Sequence, residues 1–70
     1  MITTIGLTAK THKTLYDAMV AVNADSEIYE VSFHLNGILV ILTRNDVNSW
    51  TIGIEHNGKI RKFWYERNSP

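Results

Sequence analysis

The sequence predicts an α+β fold, with one helix across one face of a four- to five-stranded antiparallel sheet, in the order β-α-β-β-β-β. Three observations carry this expectation. Residues 27–35 alternate, with Tyr29, Val31, Phe33 and Leu35 on one face and Glu30, Ser32 and His34 on the other, the period of a half-buried strand. Asn36-Gly37 follows, the strongest short hairpin signal because both residues tolerate the positive φ of a type I′ turn, and the return strand, Ile38-Leu39-Val40-Ile41-Leu42, has no polar position. Upstream, Leu15, Ala18, Met19 and Val22 stand at i, i+3, i+4 and i+7, a single apolar helical stripe.

Taken in order, Ile2, Ile5 and Leu7 among threonines give a short first strand within residues 1–7. The helix is expected over 9–22, with Thr8 as its N-cap and Thr11 as the alternative. Asn23 or Asp25 would end it in the left-handed conformation. After the first hairpin, residues 44–49 read as a polar connection. Trp50, Ile52 and Ile54 alternate again, Asn57-Gly58 forms a second hairpin turn, and residues 60–65 form the last strand, with a frayed tail beyond. The helix stripe is expected to pack on Val31, Phe33, Val40, Leu42, Trp50, Ile52 and Phe63, over strands joined as a meander.

Seventy residues make one small domain, 1–70, and domains of this length bury a modest fraction of their surface. Such scaffolds recruit disulfides, a metal or self-association. The chain has no cysteine, which closes the first route, excludes thiolate zinc sites and favours a homodimer. Apolar residues at 44% and charged residues at 20% are ordinary for a globular domain. Seven basic and seven acidic residues cancel, which does not suit a general nucleic-acid or membrane binder. No apolar run approaches the roughly 20 residues of a membrane span, and no basic region precedes an apolar core at the amino terminus, so a cytoplasmic location is the default.

Turn type decides which side chains share a face, because a slip of one residue exchanges the faces. With a two-residue turn at Asn36-Gly37, Phe33 opposes Val40 and Val31 opposes Leu42, which places Leu39 and Ile41 on the far face beside His34 and Ser32. With a three-residue loop, Phe33 opposes Leu39 and Val40 moves to the far face. The two-residue reading at Asn57-Gly58 pairs Ile52 with Phe63 and Trp50 with Tyr65, sending Ile60 and Trp64 to the far face. The candidate partner-binding residues are therefore Leu39, Ile41, Ile60 and Trp64 with His34 and Lys62. An apolar patch of that size is rarely bare on a soluble monomer. Either the chain's own termini fold over it or a protein partner does.

Chemistry-bearing patterns are sparse. The stretch from Gly6 to Thr11 lacks the second glycine of a phosphate-binding loop. A weaker anion site is conceivable where Thr8, Lys10, Thr11, His12 and Lys13 surround a helix N-terminus, against the blander reading of a solvated first turn. His12, His34 and His56 lack ligand spacing, so no metal or other cofactor is expected. There is no cysteine nucleophile and no glycine-framed serine, and Asp17, Glu27 and Glu30 read as surface carboxylates, so no enzyme is expected. One stretch interleaves cations with aromatics, and Lys59, Arg61, Lys62, Trp64 and Arg67 are the candidates for single-stranded nucleic-acid binding. The competing reading is an edge strand guarded by charge.

The expected function is a non-enzymatic protein–protein interaction module, a small stoichiometric binder or inhibitor of a larger protein, acting alone or as a homodimer. In size, lack of cysteine and lack of catalytic signatures the chain resembles small phage-encoded inhibitors of host defence, including anti-CRISPR proteins. That likeness is one of size and class. The alternative is the single-stranded nucleic-acid binder built on the C-terminal strand.

Overall fold

The computed structural model describes the backbone of residues 1–46 and 49–66 and the side chains of these as far as Phe63. Six strands and one helix follow in the order β1 (Ile2–Ile5), β2 (Ala9–His12), α1 (Leu15–Ala24), β3 (Glu30–Leu35), β4 (Ile38–Asp46), β5 (Ser49–His56) and β6 (Lys59–Glu66). All the strands form one antiparallel sheet of order β2-β1-β3-β4-β5-β6. The α+β class stands, with one strand more than the upper expectation.

The added strand is β2. Residues 9–12, expected to open the helix, instead pair back on β1, with Thr3 opposite Thr11 and Thr4 opposite Lys10. No apolar residue between Ala9 and Leu15 could give a helix an inner face, whereas threonine suits a pleated ladder. Thr4 is buried, and its Oγ1 shares a 2.9 Å hydrogen bond with His12 Nε2, tying the hairpin together. The helix therefore starts later, and its cap is Thr14 rather than Thr8 or Thr11: Thr14 Oγ1 accepts from the Asp17 N–H at 3.1 Å. With residues 9–12 extended, the anion site imagined at the helix start from Thr8, Lys10, Thr11, His12 and Lys13 does not form.

The other helix end also differs. Asp25, the C-cap, is extended rather than left-handed, with φ −135°. The last turn carries no basic residue, and the free carbonyls are met from the sheet by Arg44, whose guanidinium donates to the oxygens of Val22 at 3.1 Å and Ser26 at 3.4 Å.

Both Asn-Gly turns have two residues. Asn36 and Asn57 have φ of 51° and 53°, and Gly37 and Gly58 have φ of 81° and 77°, as type I′ requires. The registers follow: Phe33 faces Val40, Val31 faces Leu42, Ile52 faces Phe63, and Trp50 faces Tyr65. Strands β3 to β6 run as a meander.

The chain leaves β2 at one edge of the sheet and must re-enter at β3, on the other side of β1. The connecting helix consequently lies against β1 and β2. A helix about 10 Å across roofs roughly two strand spacings, whereas six strands span five, about 24 Å. The buried apolar core is correspondingly small: Ala18 and Val22 from the helix, Ile28 from the following loop and Val31 from β3, with Ile2, Ala21, Leu42 and Trp50 packed around them. Several residues expected under the helix are beyond its reach. Phe33, Val40 and Ile52 are half-buried and Phe63 is 51% exposed. Leu15, placed on the inner stripe by its spacing, is 44% exposed, and Tyr29, just ahead of β3, is half exposed.

Candidate functional site: the uncovered face of strands β3 to β6

Cross-strand partners share a face of a sheet, so the registers sort every side chain. One row on the side away from the helix runs Ser32, Ile41, Gly53, Lys62, and the next runs His34, Leu39, Glu55, Ile60. The sequence-derived candidates Leu39, Ile41, Ile60, His34 and Lys62 thus lie on this far face, on four neighbouring strands. Trp64 stands opposite Thr51 in the β5–β6 ladder, in register with them, and its side chain lies outside the described residues. Leu39 and Ile41 are half-buried by their neighbours, and Ile60 is 67% exposed.

No described element lies over this face. The N-terminal segment, one of the two covers considered from the sequence, joins the sheet as β1 instead. The other, the C-terminal tail at 67–70, falls outside the described residues.

At the centre of the face is a hollow of about 480 Å³, open to solvent, with Leu39, Ile41, Thr43, Thr51, Ile60 and Lys62 around Gly53. Its floor is the backbone of β5, bare because Gly53 has no side chain. One end is closed by Asn45, at the irregularity of the β4–β5 ladder between Arg44 and Asp46, whose Nδ2 donates to Thr51 Oγ1 at 2.9 Å and Ser49 Oγ at 3.1 Å. At the other end Glu55 is engaged with its own turn, its Oε1 accepting from the Gly58 N–H at 3.0 Å. Gly53 and Asn45 were not among the sequence candidates. The signal for Gly53 was present, since a glycine between Ile52 and Ile54 must open a gap on the face opposite those isoleucines.

The nucleic-acid candidates are not brought together. Lys59, Arg61 and Phe63 point to the helix side, opposite His56, Ile54 and Ile52, while Lys62 points to the far side. Arg67 lies outside the described residues, as does the side chain of Trp64. A strand alternates its faces, so five consecutive basic and aromatic residues cannot form one surface.

Among the described residues no group of three His, Asp or Glu side chains is placed to hold a metal ion, and no helix is long and apolar enough to cross a membrane. No family model, curated protein or solved structure matches the chain.

Proposed function

We propose that this chain is a non-enzymatic protein-interaction module, a small stoichiometric binder that uses the far face of β3 to β6. One observation carries the reading. The single helix lies on the other side of the sheet, so Leu39, Ile41 and Ile60 stand together on a face with no described element above it. Contiguous apolar surface of this kind, rimmed here by His34, Glu55 and Lys62, marks protein interfaces. A stoichiometric inhibitor of a larger protein, as among small phage-encoded inhibitors of host defence, fits within this reading. The basic C-terminal strand supports nucleic-acid binding less well, because its cations divide between two faces.

Ile41→Glu tests the proposal. Ile41 stands at the middle of the face, and a charge there should leave the circular dichroism spectrum unchanged while abolishing partner capture or self-association. Unfolding would show that Ile41 is core, covered by the chain itself. A folded variant with undiminished binding would place the working surface elsewhere.

A further inference from the structure

Gly53 is the glycine that the chain's own backbone does not require. Gly37 and Gly58 hold positive φ, and a Cβ on Gly6 would come within 2.9 Å of the Glu27 carbonyl oxygen. Gly53 has neither constraint, for a Cβ built there meets nothing nearer than the Ile41 carbonyl oxygen at 3.7 Å, an ordinary contact. Glycine weakens the interior of a strand and there marks a bulge, a bend or a close approach by another group. The β4–β5 register is regular at Gly53, its irregularity lying between Arg44 and Asp46.

We propose that the far face is a self-association surface, in which Ile41 of each of two copies seats in the hollow over Gly53 of the other. The inference rests on the binding-module reading and names the partner as a second copy of this chain. Ile41 and Gly53 are direct cross-strand partners, a knob and a hole side by side on one face, about 4.8 Å apart in the strand-to-strand direction. A two-fold axis parallel to the strands and midway between β4 and β5 exchanges these positions. One knob and one hole then become two reciprocal contacts, the signature of a closed isologous dimer.

The same rotation lays β3 over the partner copy's β6 and β4 over its β5, so the footprint is the far face of β3 to β6. It sets Glu55 over Leu39 and Lys62 over Ser32, so these charges do not oppose their own kind. One carboxylate and one ammonium around the hollow also select neither a strongly acidic nor a strongly basic partner.

The test is sedimentation equilibrium on the wild-type chain, on Gly53→Val, on Ile41→Ala and on an equimolar mixture of the two variants, with circular dichroism on each. The wild type should be a dimer. Each variant alone should be folded and dissociate at least tenfold more readily, the first because position 53 blocks its partner's Ile41 and the second because the knob is shortened. In the mixture the enlarged position 53 meets the shortened position 41, Ile41 meets Gly53, and the dimer should return. Only a contact between chains produces that recovery. Should Gly53→Val fail to fold, Gly53→Ala mixed with Ile41→Val makes the same comparison. A wild type monomeric at millimolar concentration, a dimer indifferent to both substitutions, or a mixture that stays dissociated would overturn the inference. A monomer that still loses a protein partner on Ile41→Glu would overturn it while leaving the binding-module reading intact.

Discussion

The Arg44 guanidinium lies 5.1 Å from the centre of the Trp50 ring, its cross-strand partner in the β4–β5 ladder. The same group reaches the helix, donating to the carbonyl of Val22. Arg44 thus connects the covered end of the sheet to the helix C-terminus, and its backbone N–H donates to Tyr29 O at 2.8 Å.

Replacing Arg44 by methionine keeps most of the apolar stem and removes the cap and the stacking. Hydrogen bonds from a charged donor and a cation–π contact together suggest a loss of roughly 1–3 kcal/mol. Lysine should recover only part, because it lacks the planar fork that serves a carbonyl and a ring together. Urea unfolding of the three proteins measures this, and equal midpoints would show that the contact contributes nothing.

Core position, rather than helix spacing, should decide the cost of truncation. Val31 is fully buried between the helix and Leu42, so Val31→Ala should cost on the order of 2 kcal/mol. Leu15→Ala, at a half-exposed site in the first helical turn, should cost less than about 1 kcal/mol. Thermal unfolding that ranked them the other way would mean the helix sits on the sheet by a different face.

The two hairpin turns predict a paired response. Valine at Gly37 or Gly58 must enter the left-handed region at a cost of about 1–2 kcal/mol. Asparagine at the same positions should be tolerated far better. Similar denaturant midpoints for valine and asparagine would contradict the two-residue turn geometry.

For the basic strand, Lys59→Ala/Arg61→Ala should leave the assembly of the protein intact, since both residues point to the helix side, and adding Lys62→Ala makes a triple variant that removes every described cation of β6. Fluorescence anisotropy with labelled single strands should show no sub-micromolar, salt-steep binding. Such binding, lost in the triple variant, would favour nucleic acid as the partner.

Part of this molecule was determined by local sequence. The Asn-Gly pairs specify their turn type through backbone sterics, and a two-residue turn leaves one register, so the facing of Phe33 with Val40 and of Ile52 with Phe63 follows directly. The far-face placement of Leu39, Ile41, Ile60, His34 and Lys62 was legible for the same reason.

What the sequence alone could not decide was the cover. Apolar spacing put Leu15 on the inner stripe, because periodicity measures which residues share a face and not what lies opposite that face, and the capping signal of Thr8 put residues 9–12 in the helix. Residues 9–12 were free to pair with β1, and that pairing carried the chain to the sheet edge. The return path to β3 then fixed the helix over β1 and β2. Only tertiary structure therefore left the helix side of β4 to β6 uncovered beyond Leu42, Arg44 and Trp50. The value of Gly53 depended on it too: a missing side chain becomes a hollow only when Ile41 and Lys62 stand beside it and no described element closes over it. Turns are local and follow local rules, whereas cover depends on where a distant segment has room to cross.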